Sequence, residues 1–358
     1  MVGVAKRRLS RLIVSTVSLR NIRSYARLDL DLRPGLVLVV GENGAGKTNL
    51  LESLHLGTQG FSPRTRTDSQ LIRFGETAGR VALRGRRSER PVESTVTLRQ
   101  GQAKEARLNG ARLPSAESLR REFSTLVFTP DRLAVVKGGP AARRAYFDRV
   151  LGRLQPSRAT VPQEYAAALA QRNAALRRVQ LGLSHRDAIA PWTARVAEAA
   201  AHLVEARDET LRALAPAFAR QSDELGLADA RLGYDAESPT VESLEARLQR
   251  DIDRGVTGAG PHLDDVLIAS GARDLRHFGS QGEQRLAVLA LLLAEAELLE
   301  TPPLLLLDDV LSELDPRRRR VLAAAVELAG QTVITATQTS ALPVEPAQTV
   351  EVTPGQAV

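Results

Sequence analysis

The chain contains no cysteine. Disulfides and thiolate metal sites are therefore excluded, which fits a reducing compartment. Histidine is scarce as well, and the five present show no ligand spacing. The longest apolar stretch, Leu286 to Leu299, is interrupted by Glu295 and Glu297 and falls short of the roughly 20 residues a membrane span requires. Basic residues precede Leu12, Ile13 and Val14, but Ser15, Thr16 and Ser18 break that apolar run too early for a secretion signal. The expectation is a soluble, cytoplasmic protein with no membrane partner. Internal repeats and low-complexity linkers are also missing. Lysine is confined to Lys6, Lys47, Lys104 and Lys137, so arginine carries nearly all the positive charge.

What is present suffices for one large core or two moderate ones: 358 residues, 43% hydrophobic against 25% charged. The formal charge of +7 and pI near 10.3 favour polyanionic partners such as nucleic acid. An arginine- and alanine-rich compositional habit gives the same totals, so charge alone settles nothing.

Strand-type alternation at Leu12, Val14, Leu28, Leu30 and Leu32 predicts an opening hairpin, with Arg20 and Asn21 at its connection. After Pro34-Gly35, the apolar run Leu36 to Val40 predicts a buried strand leading into Gly41. Short β-type stretches between Arg80 and Arg112 predict an antiparallel accessory sheet, and Leu126 to Phe128 a further strand. Residues 141–181 and 192–222 are rich in alanine, leucine, arginine and glutamate, which predicts two long helices forming an antiparallel arm. Strand and helix patterns return from Val266 onward.

Gly41-Glu42-Asn43-Gly44-Ala45-Gly46-Lys47-Thr48 matches the phosphate-binding loop, between an apolar strand and a segment, Asn49 to Leu56, able to form a helix. Glycines let backbone amides turn toward the β- and γ-phosphates of ATP, Lys47 neutralises their charge, and Thr48 offers its hydroxyl to Mg2+. Asn49, Arg20 and Asn21 are further candidates for nucleotide contact. Leu304 to Leu307 is a buried-strand pattern ending in Asp308-Asp309. Asp308 is the candidate for holding magnesium through water, and Asp309 for orienting or deprotonating the attacking water. On its own the pair also reads as an acidic helix cap.

Ser280-Gln281-Gly282-Glu283-Gln284 precedes an apolar helix and places a serine and backbone amides at its positive end. In isolation this is a capping box of Ser280 and Glu283. Its place shortly before the Asp308-Asp309 strand matches the signature element of ABC-type ATPases, which covers a γ-phosphate held by the other subunit. ATP then becomes the adhesive of a homodimer. Ser312-Glu313-Leu314-Asp315 resembles the loop through which such subunits touch.

Pro130-Asp131, Val135-Val136-Lys137-Gly138-Gly139-Pro140, Arg143-Arg144, Tyr146 and Asp148 resemble an internal motif of the RecF family. Leu306-Leu307-Asp308, Ser312 to Asp315 and Arg318 resemble its second motif, and Thr257, Gly260, Pro261, His262 and Asp265 a further segment. The resemblance spans nearly the whole chain. It implies an α/β ABC-type ATPase head related to structural-maintenance-of-chromosomes heads, made of residues 1–135 and 256–358, with a helical lobe inserted at 136–255. It also implies recombinational repair: DNA binding at duplexes or gapped junctions, ATP-dependent dimerisation, slow hydrolysis as a switch, and help from a RecR-type mediator in placing RecA. Aspartate stands at 309 where transporter subunits have glutamate, and Thr337-Gln338 where they have histidine. No glutamine stands near Phe128 to Asp131 to serve as the usual magnesium-linked residue.

Lys137, Arg143, Arg144, Arg64, Arg66 and Arg73 are candidates for DNA phosphates. For each, a solvated charged surface is the competing reading, and Arg317 to Arg320 reads as a helix surface. Rival classes are a transporter's nucleotide-binding subunit, which would depend on a membrane partner, and a defence-type ABC ATPase, which would carry a nuclease domain.

Overall fold

The computed structural model describes residues 12–65, 67–87, 90–327 and 330–358. Cα packing separates two units. The first comprises the described residues up to Arg132, Glu224–Gly226 and Leu291–Val358; the second comprises Leu133–Asp223 and Leu227–Ala290. The strands are β1 (Leu12–Ile22), β2 (Tyr25–Asp31), β3 (Leu36–Val40), β4 (Ala78–Arg87), β5 (Arg90–Arg99), β6 (Glu105–Leu108), β7 (Ala111–Arg112) and β8 (Thr125–Phe128). They continue as β9 (Ala230–Gly233), β10 (Leu267–Ser270), β11 (Arg273–Asp274), β12 (Leu304–Leu307), β13 (Thr332–Ala336), β14 (Gln348–Thr353) and β15 (Gln356–Ala357).

In the first unit an antiparallel sheet has the order β2-β1-β4-β5-β6-β7, and a second sheet the order β15-β14-β3-β13-β12-β8. The latter is parallel except for β15. β3, β12 and β13 are buried at every residue, as continuous apolar runs must be when both sheet faces are covered. Helix α1 (Lys47–Gln59) packs Leu50, Leu51 and Leu54 into a core shared with Val37, Val39, Val127, Leu304 and Leu306. It also meets the antiparallel sheet: Ser94 on β5 donates to the Gly57 carbonyl at 2.7 Å, and a Cβ on Gly57 would lie 2.5 Å from Leu83. With both sides covered, the polar side chains of α1 need internal partners. Glu52 takes a bidentate bond from Arg23, and Gln59 donates to the Phe123 carbonyl. Gln331, 1% exposed, ties the two sheets by accepting from the Val14 amide and donating to the Val14 and Arg33 carbonyls.

The second unit is mainly helical. The first expected helix is broken in two, Pro140–Leu154 and Val161–Gln180. Pro156 starts a 3-10 turn between them and Pro162 falls in the next first turn, positions where the missing amide hydrogen is tolerated. The second runs unbroken as Ala190–Glu224, burying Leu203, Leu211 and Leu214. Tyr165 and Ala168 pack against Val196, Ala200 and Leu203, and Arg172 donates to Thr193, so the two helices run antiparallel. The expected return to the first unit at 256 differs from the packing, which returns at Leu291. The reason is pairing: β10 forms a small sheet with β9 and β11, Asp265 binds Arg143, and Thr257 binds Arg172.

Candidate nucleotide-binding site

β3 delivers the chain into Gly41, and α1 starts at Lys47. Gly46 precedes the helix at φ 119°, where a Cβ would lie 2.9 Å from the Ser24 hydroxyl and 3.0 Å from that of Tyr25. Glycine alone fits that approach. Tyr25 donates its hydroxyl to the Gly46 carbonyl at 3.1 Å. Burial pushes this phenol up to about 12, so it remains a neutral donor. The Ser24 hydroxyl accepts from the side-chain Nδ2 of Asn49 at 3.0 Å. The tip of the β1–β2 hairpin thus braces the loop from one side.

The Lys47 ammonium donates to the Gly41 and Glu42 carbonyls at 2.7 and 2.9 Å. Burial lowers its pKa, against the pull of Asp309 and Asp308. Glu42, Asn43 and Gly44 are exposed, while Ala45 is buried. Asp308 follows β12 and is 5% exposed. Its carboxylate accepts from Thr48 at 3.0 Å to both oxygens, and from Thr335 on β13 at 2.9 Å. Burial raises the Asp308 pKa; the two hydroxyls oppose that rise. Asp309 is exposed, with φ 50°, and its amide donates to the Thr335 hydroxyl at 2.8 Å. Aspartate tolerates this left-handed conformation better than most residues.

A buried ammonium at the amino end of α1 suits an oxyanion, and the Thr48 and Asp308 oxygens suit a small hard cation. No cluster of three or more His, Cys, Asp or Glu fit for a metal exists among the described residues. A cation at Thr48 and Asp308 would be completed by ligand oxygens and water, the usual arrangement for magnesium.

The other expected residues fall into three groups. Ser312 donates to the Asp309 carbonyl, Leu314 is buried, Glu313 is exposed, and Asp315 caps the helix Pro316–Glu327 by accepting from the Arg318 amide. In the second unit Ser280 and Glu283 make the reciprocal capping box ahead of the helix Gln281–Leu298, with Gln281 and Gly282 exposed. Gln284 is instead buried and donates to the Leu275 carbonyl, an internal fastening rather than a surface contact. Arg20 binds Asp29 and the Leu19 and Leu28 carbonyls, and Asn21 binds Glu76. The hairpin residues that touch the loop are Ser24 and Tyr25. Neither was signalled by the sequence, since Ser24 lies in an ordinary turn and Tyr25 opens an ordinary strand.

Of the arginines expected to face DNA, Arg143 is 3% exposed. It is held by Asp265 and the Val136 and Gly138 carbonyls, which removes it from the surface. Arg144 is half-buried and donates to the Asp264 carbonyl; Lys137 is exposed. Arg64 is exposed near Glu52, and Arg73 donates to the Ser24 carbonyl. Arg66 lies outside the described residues. The run Arg317 to Arg320 is not purely a helix surface: Arg318 binds the Leu225 carbonyl, and Arg319 those of Leu311 and Leu314. Thr335, which links Asp308 to Asp309, is the main site residue that the sequence did not signal.

A family model described as the RecF/RecN/SMC N terminal domain matches residues 13–356. The chain is 35% identical over 333 residues to the DNA replication and repair protein RecF of Heliobacterium modesticaldum, covering 88% of this chain and 89% of that one. It resembles a solved structure described as the recombination mediator protein RecF-ATP in the RecFOR pathway, with TM-score 0.86, 26% identity and 99% of each chain covered. An Smc head domain derived from Pyrococcus furiosus shares the fold at TM-score 0.60 and 16% identity, over 97% of this chain and 95% of that one.

Proposed function

Because the chain belongs to the RecF family of DNA replication and repair proteins, we propose that it is an ATP-dependent DNA-binding protein of recombinational repair. It hydrolyses ATP slowly, as a switch. The observation that carries this reading is the convergence of Lys47, Thr48, Asp308 and Thr335 at the carboxyl edge of the parallel sheet. The amides of Gly41 to Thr48 and the Lys47 ammonium bind the β- and γ-phosphates. Thr48, and Asp308 through water, would hold magnesium, which would supply charge neutralisation for those phosphates when bound. Asp309 orients the attacking water and accepts its proton. Aspartate is one methylene shorter than glutamate, which suits slow turnover.

The chain acts as a homodimer on duplex or gapped DNA, in the cytoplasm, with a RecR-type mediator and RecA as partners. Ser280 of one subunit and Lys47 of the other hold one γ-phosphate, and Ser312 to Asp315 line the contact. Exposure of Ser280, Gln281 and Gly282 at a helix amino terminus supports this role. A membrane partner is not part of the reading; among the described residues no helix is long and apolar enough to cross a bilayer.

Sedimentation with ATP and with ADP tests the reading. Asp309→Asn should dimerise in ATP and remain monomeric in ADP, and adding Ser280→Arg should abolish the dimer while nucleotide still binds. A monomeric Asp309→Asn protein in ATP at tens of micromolar, roughly the ceiling for a useful transient interface, would overturn the ATP clamp. Gel shifts on gapped, duplex and single-stranded DNA, with and without ATP, test the DNA-binding half.

A further inference from the structure

Three neighbouring parallel strands, β13, β12 and β8, each end at the site. The ladder between β12 and β8 continues one step past the end of β12, because the Asp308 amide donates to the carbonyl of Phe128, the last residue of β8, at 2.9 Å. In that register, which pairs Leu304 with Thr125 and Leu306 with Val127, Asp308 stands beside Thr129. Side chains alternate along a strand, so Asp308, Leu306 and Leu304 share a face with Thr129, Val127 and Thr125. Leu304, Leu306 and Val127 belong to the same core as α1 residues Leu50, Leu51 and Leu54, and α1 carries Thr48. Asp308 is therefore flanked by two threonines from adjacent strands. Thr335 on one flank donates to it at 2.9 Å. Thr129 on the other flank is 4% exposed, and its hydroxyl has no hydrogen-bond partner among the described residues.

A buried hydroxyl without a partner is costly, and its location at the one sheet edge built for a polar ligand calls for an explanation. We propose that Thr129 is a positioning residue for the metal, its hydroxyl holding a water of the magnesium shell beside Asp308. This deepens the nucleotide reading above and rests on it. Thr125 supplies an internal contrast: it lies on the same face, with a hydroxyl that is likewise buried and unpartnered, but at the amino end of β8, whereas Thr129 directly follows the carboxyl end. If orphan hydroxyls here were only imperfections of β packing, the two threonines would behave alike.

The test is Mn2+ binding in the presence of ATP, read by the electron paramagnetic signal of free manganese, with metal-free ATP binding measured in parallel. Thr129→Val is close to isosteric and removes the hydroxyl; Thr129→Ser retains it. Thr129→Val should weaken Mn2+ by about tenfold, the scale seen when a group supporting metal ligands is lost. Metal-free ATP affinity and melting temperature should hold, Thr129→Ser should stay near wild type, and Thr125→Val should leave Mn2+ affinity unchanged. Equal Mn2+ affinity in Thr129→Val and wild type, or an equal loss in Thr125→Val, would overturn the proposal. Failure of the wild-type chain to bind ATP at all would instead sink the nucleotide reading.

Discussion

In the helical unit Arg172 faces Asp251, Arg207 faces Asp148 and Arg143 faces Asp265, and further donors of these arginines bond to hydroxyls and carbonyls, those of Thr257, Pro261 and Gly138 among them. At the sheet edge of the first unit Lys47 and Asp308 are also buried, yet the ammonium rests on backbone carbonyls and the carboxylate on hydroxyls. Opposite charges in contact cancel and fix geometry. Charges solvated by neutral dipoles keep their field, and burial biases both toward neutrality, lowering Lys47 and raising Asp308. The first arrangement fastens the chain; the second is poised to gain from an ionic ligand.

The contrast can be broken most severely at Arg172. Arg172→Met would leave Asp251 buried without its cation, at a cost of about 3–5 kcal/mol, while Arg172→Met with Asp251→Leu should recover most of it. Urea unfolding measures both. A loss below about 1 kcal/mol in the single variant would deny the pair its fastening role.

Next in size is Lys47→Met. Its removal should leave the melting temperature nearly unchanged and weaken ATP by on the order of 100-fold, the scale of about 3 kcal/mol for strong hydrogen bonds to charged groups. Unchanged affinity in a nucleotide titration would remove this loop from the site.

Asp308→Asn should have the opposite sign on stability. Because the folded protein raises the pKa of this acid, ionising it destabilises the fold; the penalty sets in as pH rises through the ordinary carboxylate range and persists above the raised value. Asparagine escapes it, so the variant should gain on the order of 1 kcal/mol at neutral pH, a gain that shrinks in acid, while ATP hydrolysis is lost. Equal stability across a pH series of melts would show that the two hydroxyls fully offset the burial.

Within the helical unit, exposed and buried basic side chains should respond differently to removal. Lys137→Ala with Arg144→Ala should weaken DNA severalfold and flatten its salt dependence by about one to two counterions. Arg143→Ala should instead lower the melting temperature, since it strips Asp265 of its partner. DNA affinity that falls only in Arg143→Ala would reverse that assignment.

Where a short local pattern demands its own geometry, the sequence suffices. Gly41 to Thr48 needs glycine to turn amides inward, Leu36 to Val40 can hide only as a doubly covered strand, and Ser280 with Glu283 caps its helix within one turn; the structure has the strand and the capping box as expected, and Gly46 at positive φ. Prolines within alanine-rich helical stretches were the exception, since Pro156 and Pro162 divide a segment whose composition alone suggests continuity. Pairings across long sequence separations were decided by tertiary structure alone. Thr335 reaches Asp308 because β13 lies between β3 and β12, Thr129 stands beside Asp308 because β8 pairs with β12, and Arg143 is buried by Asp265, 122 residues further along the chain. A threonine or an arginine carries no local mark of such a partner: composition sets what each side chain can bond, but strand order and packing choose the bond it makes.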